Sequence, residues 1–443
     1  MPDDHAAQRL TPNALERRVK RWLLSGPFDC YLPVTPGLEN TLVEELLDLG
    51  LANERAVVTV EHGGVSLPLD HAGIMRANLS ARTANRVLLR LGSFPASSPE
   101  MLYDRARTLD WLVHLGFQTG YRLHVTSRRS KLQAGDQVVN TVASAIGRHM
   151  RDHGLYPKPA QDATLEFHVR LLNDRCTISL DTSGEHLHRR GVRTHVHAAP
   201  LRETVAAGMA LTALKPGAAR PDVIVDPFCG SGTVLLETLD VLTGAAPGRH
   251  RAQMNEANGT AQRRVEPDGE NTAAARETPG FAFEHAAWHR PGRWREVQRE
   301  VQRQAAAHAL DPQTLPRLIG IDTDAAALAA ARSNLDGRPV QLVRADSTTF
   351  DYDSLDATEG LVIGNAPFGV RLGDQRQAAA LLERLVHALA GARGRWRGCL
   401  LALDPEPLVR HPAWHDTVVT PVRTGGLTAH IVTGTVAGPP RQT

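Results

Sequence analysis

Residues 223–233, VIVDPFCGSGT, constrain the fold of this chain more than any other segment. Three β-branched apolar residues precede an aspartate, a glycine-containing turn and an apolar helical stretch, so the pattern predicts a buried strand, a tight turn and a helix. Gly230 and Gly232 can adopt left-handed backbone conformations and leave room for a ligand beside the main chain. Open α/β sheets bind nucleotides at such turns. A Gly-x-Gly pair also occurs in ordinary turns, but this context favours a nucleotide site.

Similar segments recur through the second half of the chain. Short buried apolar runs alternate with helical patterns, which is typical of a parallel sheet covered on both faces. We expect strands at residues 223–225, 318–321, 340–343, 361–363 and 399–403, and helices at residues 234–242, 325–335 and 378–389. Residues 191–443 are therefore predicted to form one doubly wound α/β domain. Residues 245–279 contain almost no large apolar side chains and are predicted to be a disordered insertion within it.

Two smaller α+β units are predicted upstream of this domain. Residues 28–96 follow the β-α-β-β-α-β order of a ferredoxin-like domain. Residues 97–190 contain helical stretches at 102–115 and 137–151, one strand between them, and two final strands that turn at Asn173 and Asp174. Residues 1–27 are expected to form a basic helical lead-in.

Composition bounds the class of protein. A length of 443 residues, with 42% hydrophobic and 22% charged residues, predicts a folded chain of several domains. No apolar run approaches the ~20 residues of a membrane span, so we expect a cytoplasmic protein without a membrane partner. The cysteines at positions 30, 176, 229 and 399 form no close pair, which argues against a metal site or a disulfide framework. A net charge of +2 does not by itself identify a nucleic-acid partner.

Polar residues around the glycine turn favour S-adenosylmethionine over a dinucleotide. The segment lacks the third glycine of the dinucleotide fingerprint and starts with Asp226, which is expected to hold the loop and the methionine end of the cofactor. Asp322 ends the next strand and is expected to accept hydrogen bonds from the ribose hydroxyls. Asp346 is placed to face the adenine amino group, although an ordinary helix cap is equally compatible. Cys229 lies inside the turn, which favours packing over a nucleophilic role in pyrimidine methylation.

Residues 361–369, LVIGNAPFG, end a predicted strand with the groups needed to methylate an exocyclic amine. If the Asn365 side-chain oxygen and the Ala366 carbonyl accept the two amine hydrogens, the nitrogen lone pair is freed for the sulfonium methyl. Pro367 shapes the turn, and Phe368 would stack on the extruded base. The alternative interpretation is an ordinary Asn-x-Pro turn with a core phenylalanine.

Taken in order, these motifs resemble those of the THUMP-domain class I RNA guanine-N2 methyltransferases, above all the bacterial large-subunit rRNA type. The most specific matches are residues 179–191, SLDTSGEHLHRRG, and residues 199–204, APLRET, with residues 36–39 and 82–88 matching the family's N-terminal region. The resemblance extends from residue 30 nearly to the C-terminus. It implies a class I Rossmann-like methyltransferase domain, a THUMP RNA-binding domain at residues 97–190, S-adenosylmethionine as cofactor, and ribosomal or transfer RNA as partner.

The resemblance also implies a set of cofactor contacts. Leu201 and Thr204 correspond to positions that lie over the methionine end of the cofactor. The other matching positions are Asp226, Pro227, Phe228, Gly230, Gly232, Asp322, Asp346 and Asn365. The chain departs from the family in its long insertion and in its Asn-Ala-Pro-Phe stretch, where the family has Asn-Pro-Pro-Tyr or Asn-Pro-Pro-Phe. We expect an Ala366→Pro variant to be tolerated or mildly activated.

A basic cluster in residues 122–158 predicts contact with RNA phosphates. Seven Lys and Arg residues face two Asp residues there, a local net charge of +5. The cluster comprises Arg122, Arg128, Arg129, Lys131, Arg148, Arg151 and Lys158, and Arg189, Arg190 and Arg193 are expected to extend it toward the active site. The alternative is a solvated charged surface.

Three functions remain compatible with these observations. Methylation of guanine N2 in structured RNA is the leading hypothesis. Adenine N6 methylation of RNA or DNA uses nearly the same chemistry. A catalytically weak RNA-binding or ribosome-assembly factor could also retain the fold.

Overall fold

The structure, a computed structural model, describes residues 9–191, 201–258, 280–308, 310, 314–368, 372–424 and 426–437. Arg193, residues 199–200 of the family motif and residues 259–279 of the predicted insertion lie outside this part of the chain. No helix within the described residues is long and apolar enough to cross a membrane.

A helix and a ferredoxin-like unit begin the described chain. The elements are α1 (Pro12–Leu24), β1 (Phe28–Pro33), α2 (Glu39–Asp48), β2 (Thr59–Glu61), β3 (Gly64–Leu69), α3 (His71–Ser80) and β4 (Leu88–Pro95). Within the predicted helical lead-in of residues 1–27, the helix α1 confirms the prediction for residues 12–24. The strand order β2-β3-β1-β4 and the antiparallel pairing confirm the ferredoxin-like prediction.

A second α+β unit follows with α4 (Pro99–Arg107), α5 (Trp111–Leu115), β5 (Gly120–Arg128), α6 (Asp136–Arg151), β6 (Lys158–Pro159), β7 (Glu166–Leu172) and β8 (Arg175–Asp181). The single helix expected at residues 102–115 is two helices. Asn173 and Asp174 form the β7–β8 turn with φ values of 51° and 59°. Asn and Asp tolerate this left-handed conformation better than most residues, which explains the turn.

The two units share one sheet. The eight strands run β2-β3-β1-β4-β8-β7-β5-β6, because β4 pairs antiparallel with β8. Helices α2 and α3 pack on β3, α4 packs on β4, and α6 packs on β5 and β6. The predicted domain boundary at residues 96 and 97 therefore separates two units whose strands, β4 and β8, are hydrogen-bonded to each other in one sheet.

A doubly wound sheet forms the C-terminal part. Its elements are α7 (Glu203–Ala213), β9 (Val223–Asp226), α8 (Thr233–Leu242), α9 (Arg249–Asn258), α10 (Pro291–His308), β10 (Arg317–Asp322), α11 (Ala325–Asn334), β11 (Val340–Arg344), β12 (Glu359–Asn365), α12 (Leu372–Gly391), β13 (Arg395–Ala402), α13 (Glu406–Val409), β14 (Trp414–Thr424) and β15 (Leu427–Val436). The strand order is β11-β10-β9-β12-β13-β15-β14. The first five strands are parallel, as predicted. The sequence pattern missed the antiparallel edge made by β14 and β15.

The insertion predicted to be disordered is partly ordered. Residues 249–258 form α9, and Arg251 is only 1% exposed. Its Nη2 donates to the carbonyl oxygen of Ser183 at 2.8 Å, and its guanidinium lies 4.5 Å from the centre of the Phe281 ring. The prediction of disorder is wrong for this segment because arginines, rather than large apolar side chains, anchor it. Arg249 also pairs with Asp240, at 2.8 Å.

Arg190 lies in a buried ion pair between the N-terminal sheet and the doubly wound domain. The side chains of Arg190 and Glu237 are 6% and 1% exposed, and Nε and Oε1 are 3.2 Å apart. Arg190 Nη2 also donates to the carbonyl oxygen of Arg82 at 2.6 Å. The assignment of Arg190 to RNA binding is therefore wrong, because its donors are committed to protein groups.

Replacing Arg190 by Gln should lower the free energy of unfolding by about 3–5 kcal/mol, because Glu237 would keep a buried charge without its partner. Denaturant unfolding measures this change. Arg189→Gln is the matched control, since Arg189 pairs with Glu185 at 2.7 Å on the surface and should cost less than about 1 kcal/mol. Equal effects of the two substitutions would contradict the structural role of Arg190.

Candidate active site

Three polar residues meet at the carboxyl edge of the parallel strands. Asp226 ends β9, Asp322 ends β10 and Asn365 ends β12, and β9 pairs with both of the other strands. The chain runs from β9 to β10 and β11 on one side and from β12 to β13 on the other, so the crevice between β9 and β12 is the topological switch point. Ligands of open α/β sheets bind in this crevice. The fold therefore brings together the residues that the two sequence motifs predicted.

The glycine turn has one packed side and one open side. Gly232 has a φ of 82°, and a Cβ atom there would lie 2.8 Å from Leu335 Cδ1, so a larger residue would have a strained backbone and would displace the Leu335 side chain. Gly230 has a φ of 52°, but a Cβ atom there would have nothing closer than the Phe228 carbonyl oxygen at 4.0 Å. The open side of the turn leaves space for a ligand beside the backbone.

Asp322 fixes this turn from the neighbouring strand. Its Oδ2 accepts a hydrogen bond from the Gly230 backbone N–H at 2.9 Å, and its Oδ1 accepts one from Asp324 at 2.9 Å. The carboxylate is therefore oriented before any ligand binds. Each carboxylate oxygen can accept more than one hydrogen bond, so Asp322 keeps the capacity to bind ribose hydroxyls.

Asp226 is the most perturbed acid of the crevice. Its side chain is buried, Oδ1 accepts from the Phe228 N–H at 3.1 Å, and Oδ2 has no hydrogen-bond partner among the described residues. Burial raises the pKa of Asp226 to about 8, and the nearby charge of Asp322 adds to this rise. A buried carboxyl with an unsatisfied oxygen is costly unless a ligand completes its hydrogen bonds.

Gly364 is a site residue that the sequence analysis missed. A Cβ atom at this position would lie 2.7 Å from Asp226 Oδ1 and 3.0 Å from Pro227 Cδ. The absence of a side chain on β12 therefore makes room for the carboxyl group of β9. The signal in the sequence is the glycine directly before Asn365, inside an otherwise apolar strand.

Asn365 carries a second unsatisfied oxygen. Its Oδ1 is buried and has no hydrogen-bond partner within the described part of the chain. The following residue is fixed, since Ala366 is buried and its N–H donates to the Leu401 carbonyl oxygen at 3.0 Å. Pro367 is exposed, whereas Phe368 is half-buried and packs against the core. An amide acceptor on a rigid strand end can therefore face a donor group of a substrate.

The other predicted cofactor contacts differ in their surroundings. Leu201 and Thr204 are buried at the start of α7, and the Thr204 hydroxyl donates to Asn85 Oδ1 at 3.3 Å. Asp346 is exposed, and its Oδ1 accepts from the Thr348 N–H at 2.9 Å and the Thr348 hydroxyl at 2.8 Å, which lowers its pKa. This is an Asx turn and not the helix cap that the sequence left as an alternative, because no helix begins at this position. Its other oxygen remains the predicted adenine contact.

Cys229 behaves as a packing residue. It is 5% exposed, and a Cβ atom at Gly320 would lie 3.0 Å from its Sγ. Burial raises the pKa of its thiol well above the usual range, and the negative charges of Asp226 and Asp322 act in the same direction. A thiolate nucleophile is therefore disfavoured here, in agreement with the sequence analysis.

The predicted basic cluster does not form a single surface. Arg122 and Arg128 lie on the polar face of the N-terminal sheet, and Arg122 Nη2 is 2.9 Å from Glu166 Oε2. Arg148 and Arg151 are exposed on α6, which covers the opposite face, and Arg148 Nε is 3.2 Å from Asp152 Oδ1. Exposed side chains also occur at Arg129, Lys131, Lys158 and Arg189. Residues that are close in the sequence therefore do not form one basic surface in the structure.

Comparison with known proteins identifies the family. The family model described as "RMKL-like, methyltransferase domain" matches residues 190–410, and that of the "RlmL ferredoxin-like domain" matches residues 29–88. Together they match well over half of the chain. The chain belongs to the RMKL-like methyltransferase family. The resemblance found from the motifs is thereby confirmed at the level of the family.

Relatives of known identity agree with this assignment. Ribosomal RNA large subunit methyltransferase K/L of Pseudomonas putida strain F1 is 30% identical over 392 residues, which cover 86% of this chain and 49% of that protein. The enzyme of the same name from Hahella chejuensis is 30% identical over 377 residues, covering 84% and 48% of the two chains. The chain therefore spans about half the length of the curated relatives it matches.

Solved structures share the fold. One is of a possible methylase from Clostridium difficile 630, with 24% identity, a TM-score of 0.74, and coverage of 94% of this chain and 99% of that one. Another is of SMU.472 complexed with SAH, with the same identity and TM-score and coverage of 94% and 100%. At this identity the likeness shows the architecture alone, and it confirms the predicted fold class.

The raised pKa of Asp226 predicts a pH dependence of stability in the protein without ligand. Its carboxyl group has an ordinary pKa of 3.8 and a folded pKa of about 8, so folding takes up a proton between these values. Stability should therefore fall as the pH rises from about 4 to about 8, by up to about 1.4 kcal/mol per pH unit, and level off above. Asp226→Asn should remove this contribution, so its stability relative to the parent should increase across the window. Urea unfolding at several pH values measures the difference, and a constant difference would contradict a buried neutral Asp226.

The hydrogen bond from Ala366 to Leu401 argues against the expectation that proline is tolerated at position 366. Proline has no N–H, so Ala366→Pro should leave the buried Leu401 carbonyl unsatisfied and lower the free energy of unfolding by about 1–3 kcal/mol. Thermal and denaturant unfolding of the variant check this prediction. An Ala366→Pro variant as stable as the parent would show that the backbone at β12 can rearrange at no cost.

Proposed function

We propose that this chain is an S-adenosylmethionine-dependent RNA methyltransferase that methylates the exocyclic N2 of a guanine in ribosomal RNA. The observation that carries the proposal is the buried Oδ1 of Asn365 at the switch point, beside the glycine turn; this oxygen has no hydrogen-bond partner in the described part of the chain. Methyl transfer to an aromatic amine needs an acceptor for the amine hydrogens at this place. Membership of a methyltransferase family supports the same chemistry.

The residues of the crevice fit the cofactor. Gly230 leaves the backbone open to a ligand, Asp322 presents an oriented carboxylate, and Asp226 Oδ2 has no partner among the residues that the structure describes. Asp322 would bind the ribose hydroxyls, Asp226 would bind the methionine end, and Leu201 and Thr204 would cover it. When bound, S-adenosylmethionine supplies an electrophilic methyl group. SMU.472, which shares the fold, is complexed with SAH, the compound that remains after the methyl group has left.

The chain's own contribution to catalysis is positioning. The Asn365 side-chain oxygen and the Ala366 carbonyl accept the two hydrogens of the guanine amine, which holds the nitrogen lone pair in one direction. Because Ala366 is tied to Leu401 and Asn365 ends a strand, both acceptors sit on rigid backbone. Phe368 stacks on the base. A rigid acceptor pair lowers the barrier without reorganisation during the reaction.

Ribosomal RNA is the substrate best supported by the relatives. The two matched K/L enzymes carry ribosomal RNA in their names, and the chain spans about half of their length. Residues 97–190 would serve as the THUMP RNA-binding unit, with Arg128, Arg129, Lys131 and Lys158 near phosphates. A ribosomal RNA substrate supports a cytoplasmic location, and transfer RNA is the runner-up substrate.

Asn365→Ala should keep cofactor affinity and most RNA affinity, while the single-turnover rate of methylation falls by about 10²-fold or more. The reason is that Asn365 contacts the reacting amine, and an interaction made mainly in the transition state appears in the rate rather than in binding. Calorimetry with S-adenosylhomocysteine and quenched-flow methylation of bulk large-subunit rRNA separate the two effects. A variant that methylates as fast as the parent would refute the proposed role.

Nucleoside mass analysis of the same reaction identifies the product of the parent enzyme. N2-methylguanosine is the expected product. N6-methyladenosine would replace guanine by adenine as the target, and RNA binding without any methylated nucleoside would reduce the chain to a binding factor.

A further inference from the structure

The eight-stranded sheet has one face covered by helices and one polar face. Along β5, Tyr121 is buried in the core, whereas His124, Thr126 and Arg128 are exposed. Successive side chains of a strand point to opposite faces, and directly paired residues of neighbouring strands share a face. The strand pairing therefore shows which residues of β4, β7 and β8 lie on the polar face beside β5.

Four rows of side chains cross this polar face. The two inner rows are Arg122, Glu166, Asp181 and Leu88, and then His124, His168, Ser179 and Arg90. The two outer rows are Thr126, Arg170, Thr177 and Ser93, and then Arg128, Leu172, Arg175 and Pro95. The inner rows thus contain two acids, and the outer rows contain three arginines and no acid.

The charges of the inner rows neutralise one another. Arg122 pairs with Glu166, and His168 Nε2 lies 3.3 Å from Glu166 and 3.7 Å from Asp181, which Arg86 also contacts. The proximity of the His168 imidazole is the main reason that the pKa of Glu166 falls to about 2. Little charge is left there for an external partner.

The outer rows have cations without an ion-pair partner among the described residues, although Arg170 is close enough to Glu61 to help lower the pKa of that carboxyl. Arg128, Arg170 and Arg175 are exposed, and none of them forms an ion pair with another described residue. Arg175 is held by Ser93 instead, with Nε 3.0 Å from the hydroxyl and Nη2 3.3 Å from the carbonyl oxygen. The nearest acid of the β7–β8 turn, Asp174, accepts the Lys131 N–H at 2.6 Å.

We propose that these outer rows form a docking surface for the RNA backbone, which we call the outer platform: Ser93, Thr126, Arg128, Arg170, Arg175 and Thr177. The inference rests on the proposed function, because it assigns the RNA substrate to this surface. Guanidinium groups bind phosphates, and the three hydroxyls match the donor and acceptor character of ribose 2′-hydroxyls. Neighbouring strands are about 4.8 Å apart, so the platform presents these groups across four strands as a broad, fixed surface.

The platform lies on the same sheet face as residues at the domain junction. Asp181 of the inner row contacts Arg86, and the adjacent Asn85 accepts the Thr204 hydroxyl at the start of α7. Arg122 and Arg128 are six residues apart on β5, which corresponds to about 20 Å. The platform therefore suits a structured RNA that reaches from this face to the catalytic crevice, rather than an isolated nucleotide.

The test is a salt titration of RNA binding by the full chain, with a fluorescent transcript of one large-subunit rRNA domain. The platform triple variant replaces Arg128, Arg170 and Arg175 by Gln. The control triple variant replaces Arg105, Arg107 and Arg410 by Gln, which removes the same charge from exposed positions on α4 and directly after α13. The platform variant should bind about 10-fold or more weakly near 0.15 M salt, and the slope of log K against log salt should shrink by about two. The control should stay within about twofold of the parent.

The possible failures are distinguishable. If the parent binds and methylates RNA but the two triple variants bind alike, the platform is wrong and the proposed function stands. If the parent neither binds nor methylates RNA, both fail. Unchanged affinity for S-adenosylhomocysteine in each variant verifies that the fold and the cofactor site are intact.

Discussion

The pairing of β9 on both of its sides is the constraint on which the candidate site depends. Parallel ladders to β10 and β12 bring three strand ends to the same edge of the sheet, although 139 positions separate Asp226 from Asn365 along the chain. The register of each ladder fixes where a polar side chain lies along the strand direction relative to the polar side chains of the neighbouring strands. The crevice is thus set by main-chain hydrogen bonds, and the side chains that line it need little adjustment to bind a ligand.

Buried acids in this protein fall into two groups that differ in their partners. Glu45 is buried, but it accepts hydrogen bonds from the backbone N–H groups of Arg82 and Thr83 and from the Thr83 hydroxyl. Glu237 is paired with Arg190. Burial raises the pKa of both groups, and their partners oppose that rise. Asp226 differs because only one backbone N–H compensates its burial. This lack of compensation is the reason to propose a ligand for Asp226, whereas the others join elements of the fold.

How far the sequence predicts the structure depends on whether the relevant interaction is local. The glycine turn, Asp226, Asp322 and Asn365 were predictable, because each follows a buried apolar strand. Gly364 was not, because its necessity comes from a carboxyl group on another strand. The antiparallel edge of β14 and β15 and the ordered α9 also escaped prediction. The alternating pattern of β14 is interrupted by a register shift between His415 and Val418, and α9 is anchored by the distant contacts of Arg251.

Charged residues show the same distinction most clearly. A count along residues 122–158 treats all basic side chains as equivalent, but Arg122 is bound to Glu166 and the helical arginines lie on the other face. Arg190 is almost completely buried. Arg170 and Arg175, by contrast, have no acid beside them on the neighbouring strands. An arginine can bind a phosphate only when it is not already paired with a carboxylate on the same face. Strand register decides that availability, and register becomes visible only when the sheet is assembled.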